Sequence, residues 1–234
     1  MQEKNKIVEF DEYANSYEKD LNSALEIVKI NAQYFTEYKI KYIKNICDKN
    51  NIYPKKILDF GCGVGNSSYF LSQYFSHSKI YGIDISKNSI EIAKKRDINN
   101  CVFNVYNGED IFFDENFFDI IFISNVFHHI DHQNHFYLLK KIKELLKENG
   151  SLFFFEHNTL NPVTLKIVND CIFDKDAKLL NFLYTKKLFK KVGFRKIDLK
   201  FILFIPPKFK KLLFLENYLQ WLPIGGQYCM ESKK

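Results

Sequence analysis

From about residue 55 to residue 157, apolar residues of this chain switch repeatedly between two periods, and that alternation limits the folds open to it. The segments "KKILDF", "KIYGID", "CVFNVY", "FFDIIFIS" and "SLFFFEH" are short and rich in apolar residues, as strands of a buried sheet are. Between them lie "GNSSYFLSQYF", "SKNSIEIAKKR" and "HFYLLKKIKELLKE", with apolar residues at helical spacing. Ser86 is placed to cap the second helix, and Asn149-Gly150 to stop the third. Regular strand–helix alternation predicts an α/β fold, a doubly wound parallel sheet with helices on both faces.

The flanks depart from this rhythm. Residues 11–48 read as two helices, ended before Pro54. After residue 160 come a helix around 161–172, another at 185–192, the strand-like "FRKIDLKFILFI", a Lys/Phe/Leu stretch behind Pro206-Pro207, and "GGQYCMESKK" as a final edge strand. Two strands joined without a full crossover helix predict an antiparallel end to the sheet. No repeat or low-complexity linker interrupts the 234 residues, so a single domain is expected.

Composition narrows the class. The net charge of +6 comes from 34 Lys/Arg against 28 Asp/Glu, an excess better explained by a soluble surface than by nucleic-acid binding. Five cysteines, odd in number and without a C-x-x-C pair, argue against a disulfide framework or zinc ribbon. "MQEKNKIVEFDEY" lacks the apolar run of a signal peptide, and no stretch approaches ~18 uninterrupted apolar residues. A reducing cytoplasm is the expected location.

The sharpest chemical signal is "ILDFGCGVGNSS". Gly61, Gly63 and Gly65 alternate between a strand ending near Asp59 and the start of a helix, where backbone N–H groups are free to meet a ligand. A dinucleotide fingerprint, G-x-G-x-x-G, would need glycine at 66 or 68, which are Asn66 and Ser68. The pattern is D-x-G-x-G-x-G, and an acid at the strand end suits an ammonium better than a pyrophosphate. Nineteen residues beyond Gly65, Asp84 ends the next strand, a position suited to a ribose diol.

In "LDFGCGVG", "GIDIS", "NGEDIFFDENFFD" and "SNVFHHI", in that order and spacing, the chain resembles the class I S-adenosylmethionine-dependent methyltransferases of small-molecule and glycan type. The resemblance is close over residues ~55–157. It implies a Rossmann-like seven-stranded sheet of order 3-2-1-4-5-7-6, the last strand antiparallel, with N-terminal helices. It further implies a helical lid over 1–50, a cofactor-binding core over 51–160, and acceptor-side elements with the final strands over 161–234. The implied cofactor is S-adenosyl-L-methionine, with S-adenosyl-L-homocysteine as product and no metal. Gly61, Cys62, Gly63 and Gly65 would line the methionine end with Asp59 nearby, Asp84 would hold the ribose, and Ile85 would pack on the adenine. Asn107, where the family often has aspartate, would accept from the adenine amino group, with Gly108 and Glu109 completing that wall. Ser124 and Asn125 would edge the methionyl part. "FDEYANSYEK" resembles a lid element, making Tyr13 and Tyr17 pocket candidates; the same i, i+4 pair also suits a core stripe.

No Asn/Asp-Pro-Pro-aromatic motif and no Pro-Cys nucleophile is present, which disfavours nucleotide-type N-methylation and cytosine C5 chemistry. "SNVFHHI" looks like the corresponding motif of sugar and small-molecule O-methyltransferases, so His128, then His129, is the expected general base, oriented by Glu156 or His157 from "FFEHN". The expected partner is a hydroxylated small molecule: a sugar, nucleotide sugar or glycan intermediate. Asn158, Asn161, Thr164 and Asp174 are candidate contacts to it or ordinary cap residues. N- or C-methylation of another metabolite or lipid-like acceptor, and a non-catalytic cofactor-binding subunit, stay open. "PPKFKKLLFLENYLQWLP" could cover the site, touch lipid or pack on the sheet. Of "SNVFHHIDHQNH", the part from Asp131 reads as an N-cap followed by a solvated helix start carrying His132 and His135.

Overall fold

The structure, a computed structural model, describes residues 11, 17–25, 31–174 and 176–234, apart from the side chains of 17–20 and 173. Seven strands form one sheet: β1 (Lys56–Phe60), β2 (Lys79–Asp84), β3 (Cys101–Val105), β4 (Phe118–Ser124), β5 (Leu146–His157), β6 (Arg195–Ile202) and β7 (Gln227–Lys233). Their order is β3-β2-β1-β4-β5-β7-β6. The first five run parallel, and β7 pairs antiparallel with both β5 and β6. The expected fold class and strand order are both present. The tail differs in one respect: the last strand fills the gap between β5 and β6, so β6 is the edge.

Period-two alternation distributes the core between two faces. Ile121, Ile123 and Phe154 pack beneath α5 (His132–Leu145) and α7 (Phe182–Val192), while Ile120, Phe122, Phe153 and Phe155 pack beneath α2 (Ala32–Lys49) and α3 (Asn66–Tyr74). The other described helices are α1 (Tyr17–Ala24), α4 (Lys87–Lys95), α6 (Pro162–Asp170) and the short α8 (Glu216–Leu219). Ser86 caps α4, accepting from the Ser89 amide at 3.1 Å, as expected. Helix α5 stops at Leu145, four residues before Asn149. The chain bulges over 147–150 at the start of β5 instead: the pairing with β4 jumps from Phe118–Leu146 to Ile120–Ser151, and a Cβ on Gly150 would lie 2.9 Å from the Lys147 carbonyl.

The segment after β6 is held by one buried carboxylate. Glu216 accepts from the backbone amides of Leu203 (3.2 Å), Phe204 (2.8 Å) and Ile205 (2.8 Å) and from the Tyr38 hydroxyl (3.0 Å). Truncating it leaves three strand-end donors without a partner, and a donor so orphaned costs about 1–3 kcal/mol. Glu216→Ala should therefore destabilise by at least about 2 kcal/mol, a fall of roughly 4–8 °C in Tm for a domain of this size. Calorimetric melting is the check; an unchanged midpoint would show that water replaces the carboxylate without loss.

Candidate active site

β1, β2, β4 and β5 run parallel, so their carboxyl ends deliver the glycine loop, Asp84, Ser124 and His157 to one rim. A cavity of about 940 Å³ opens there. Gly61, Cys62 and Gly63 line it after β1, and Asp84 and Ile85 at the end of β2. Asn107, Gly108 and Glu109 line it after β3, Ser124 at the end of β4, and Asn125, His128 and His129 beyond it. His157 faces it from the end of β5. Gly61 has φ +73°, and a Cβ there would meet Val126 Cγ2 at 2.5 Å; Gly63, at φ +51°, has open space where a side chain would project. Asn125 also adopts the left-handed region, φ +56°, a conformation that Asn accepts more readily than most side chains.

Asp84 is pre-oriented. Its carboxylate accepts from the Gly63 amide (2.8 Å) and the Ser86 amide (2.9 Å), while burial raises its pKa. Asp11 reaches the same corner, accepting from the Ser86 hydroxyl (2.6 Å) and the Asn88 amide (3.0 Å). Leu21 and Leu25 add apolar wall. Tyr13 lies outside the described residues, as does the side chain of Tyr17.

Four expectations need correction. Asp59 is buried away from the cavity, accepting from the Ser68 hydroxyl at 2.6 Å; burial, against that hydrogen bond, pushes its carboxyl up to about 7. Gly65 is also behind the wall, its Cβ direction closed by Ala93 and Phe103. The Asn107 amide oxygen already accepts from the Glu109 (2.9 Å) and Asp110 (2.7 Å) amides, so it closes a turn and has no lone pair left for an adenine. Glu156 is fully buried beneath the site instead of on its surface.

From there Glu156 organises the histidines. One carboxylate oxygen accepts from the Phe127 amide (3.0 Å), and the other holds His128 Nδ1 at 2.6 Å. His128 Nε2 lies 3.3 Å from Asp174 Oδ1, and His129 Nε2 lies 3.4 Å from the same oxygen. Burial opposes a charge on His128, but the Glu156 carboxylate and then Asp174 raise its pKa to about 10. Burial would raise both carboxyls; His128 instead holds Glu156 below its usual value, and its hydrogen bond holds Asp174 far below the carboxylate range. His157, 5.3 Å from His128 between ring centres, is driven the other way: burial and the charged His128 push it down to about 4. At neutral pH the site thus holds a proton on His128 and none on His157. Ligand atoms of His128, His157 and Asp174 lie within 4.8 Å of one another, a spacing open to a divalent cation. Such an ion would have to displace the proton that two carboxylates stabilise on His128.

His132 and His135 part company with this cluster. His135 is buried, bonded to the Tyr184 hydroxyl (2.9 Å) and to the carbonyls of Phe127 (2.9 Å) and Ile130 (3.0 Å), so it buttresses the loop that carries His128. His132 stacks on Tyr184. Asp131 occupies the N-cap position without a side-chain capping bond. Asn158 is buried, its amide donating to the Pro223 and Gly225 carbonyls; Asn161 caps α6, and Thr164 donates to the Gly226 carbonyl.

Sequence reasoning missed Lys39. It lies on the buried face of α2, in register with Ala32, Ile43 and Cys47, and donates to the Ser124 hydroxyl at 2.6 Å on the cavity wall. Burial lowers its pKa to about 8, with Glu156 pulling the other way. A lysine inside an apolar helical stripe was the available signal.

Residues 57–150 match the family model described as a methyltransferase domain. This segment resembles a methyltransferase domain, and the sheet it belongs to has the strand order expected of the class I S-adenosylmethionine-dependent fold. Phosphoethanolamine N-methyltransferase 1 of Arabidopsis thaliana is 29% identical over 118 residues, covering 49% of this chain and 23% of that protein. Demethylmenaquinone methyltransferase of Thermotoga maritima is 27% identical over 121 residues, covering 52% of this chain and 50% of that protein. The chain thus spans half or less of these curated relatives. A crystal structure from Thermotoga maritima, described as a SAM-dependent methyltransferase, possible histamine N-methyltransferase, shares the fold with TM-score 0.67 and 19% identity, covering 96% of this chain and 98% of that one.

The cavity has features that suit S-adenosylmethionine at specific points. The open face of Gly63 admits close approach to the backbone, Asp84 offers remaining carboxylate lone pairs to ribose hydroxyls, and Ile85 supplies apolar surface beside Gly108. Hydrogen bonds to a charged group contribute about 1.5–3 kcal/mol, so Asp84→Asn should weaken S-adenosylhomocysteine binding roughly 10- to 100-fold by calorimetric titration. The ion pair carries a second expectation. His128, raised from 6.5 to about 10, contributes stability that is complete below pH 6.5 and lost as pH rises toward 10. Melting midpoints should therefore decline over that window in the wild type, by an amount missing from the His128→Gln/Glu156→Gln double variant.

Proposed function

We propose that this chain transfers the methyl group of S-adenosylmethionine to a hydroxyl of a small molecule, with His157 as proton acceptor. The bound cofactor supplies a methyl group activated on a sulfonium. One observation carries the reading: an imidazole kept unprotonated at neutral pH stands on the cavity wall beside the ion-paired His128. A methylated hydroxyl is a protonated ether, far more acidic than an imidazolium, so even a base with a pKa of about 4 can take its proton. His128 keeps its own proton and holds Asp174 in place, which makes it a positioning residue and moves the base from the expected position to its neighbour. His129, its ring centre 4.1 Å from that of His128, steadies the same carboxylate oxygen.

A sugar or nucleotide-sugar acceptor is supported by the amide groups of Gln133, Asn134 and Gln227 on the cavity wall, and by the Gln227 amide oxygen, which is buried with no hydrogen-bond partner among the described residues. Asp11, tied to Ser86 and Asn88, and the apolar wall of Leu21 and Leu25 support the N-terminal region as the cover that excludes water. The ionised Asp174 favours a second reading, an amine acceptor whose ammonium it would attract, in keeping with the relative named for phosphoethanolamine. The mass and fragmentation of the methylated product separate the two.

Loss of a general base typically costs about 10²–10⁴ in rate. His157→Asn should lower kcat by that factor while S-adenosylhomocysteine affinity stays within about twofold. With wild-type enzyme, kcat should be level through neutral pH and fall only as pH approaches 4. An acid limb near pH 6.5 would point to an unperturbed imidazole and overturn the assignment.

A further inference from the structure

The strap between β6 and β7 has a surface that neither the fold nor the cavity uses. Between residues 209 and 224 six large apolar side chains are exposed: Phe209, Leu212, Phe214, Tyr218, Trp221 and Ile224, with Tyr218 at 71% and Trp221 at 73%. Isolated exposed apolar residues are ordinary, but a concentration of this kind on one segment marks an interaction surface. Its charge is one-sided. Lys208, Lys210 and Lys211 carry three positive charges, with Lys208 over the Phe209 ring, and no described residue pairs with them as a salt bridge. The segment's one acidic residue, Glu216, is turned inward to bind the Leu203, Phe204 and Ile205 amides. Internal hydrogen bonding has thus turned the segment's only acidic side chain inward.

We propose that this strap docks the protein on the surface of an anionic phospholipid bilayer. Lysines beside aromatic and aliphatic side chains match that surface in both charge and polarity: lysine meets the lipid phosphates, and Trp and Tyr settle at the headgroup level. The contact is peripheral, since no described helix is long and apolar enough to cross a membrane. Its location connects it to the site. Leu203, Phe204, Ile205 and Pro206, the start of the same strap, line the cavity, and the Asn161 amide ties α6 to the Ile224 carbonyl at the strap's far end. Val163, exposed and also lining the cavity, continues the apolar rim. The docked surface therefore borders the cavity mouth, whichever acceptor the site takes.

Trp221 is the only tryptophan of the chain, so its fluorescence reports on the strap alone. The full-length protein should show a blue shift of emission and co-sediment with vesicles of equimolar phosphatidylcholine and phosphatidylglycerol, and both effects should fade at high salt. The Lys208→Glu/Lys210→Glu/Lys211→Glu variant should bind these vesicles roughly 100-fold more weakly or worse. Its S-adenosylhomocysteine affinity should match the wild type, which verifies folding because these lysines lie outside the cavity. Two results would overturn the proposal. One is an unshifted emission spectrum with no sedimentation at saturating lipid. The other is a blue shift without lipid that grows with protein concentration alongside dimer mass in ultracentrifugation, which would identify a second copy as the occupant.

Discussion

A single buried carboxylate, Glu156, is the constraint on which the active-site region depends. It ends β5 deep in the sheet, where an unpaired charge would be expelled at a cost of several kcal/mol. It is retained because it accepts from the Phe127 amide and from His128, both on the loop that follows β4. Two parallel strands and the loop between them are thereby locked in one register. His135 completes the lock from the helix side by binding the Phe127 and Ile130 carbonyls. Breaking such a pair from one side typically costs about 3–5 kcal/mol, because the surviving charge remains buried.

The same ion pair sets the protonation of its neighbours. With Glu156 on one ring nitrogen and Asp174 facing the other, His128 keeps its proton across the neutral range. That fixed positive charge, added to burial, leaves His157 neutral. Two imidazoles 5.3 Å apart are thus assigned opposite states by their surroundings. In the proposed reaction the division of labour follows: the charged ring organises, and the neutral ring accepts.

The C-terminal third joins this site to the outside. Inserting β7 between β5 and β6 makes the strap loop back over the carboxyl edge of the sheet. Glu216 secures the strap at its root, so its first residues form cavity wall and its remainder presents apolar and basic groups outward.

Strand and helix periodicity, the glycine loop and the acid after β2 were legible in sequence because each is local: period two, period 3.6, and a turn that only glycine tolerates. Those patterns were enough for the fold class, the strand order through the family resemblance, and the placing of Gly61, Gly63, Asp84 and Asn125 around one cavity. They could not show that Asp59 turns away to Ser68, that Asn107 spends its oxygen on its own turn, or that α5 stops at Leu145, since each depends on what the fold brings alongside. Above all, four histidines in twelve residues have identical chemistry on paper. The tertiary structure alone made His128 a buried cation, His135 a buttress and His157, from another strand, the neutral ring of the site. Proton affinity is set by burial and by charges within a few ångströms, and those neighbours come from β5 and the 172–174 turn, tens of residues away in the chain.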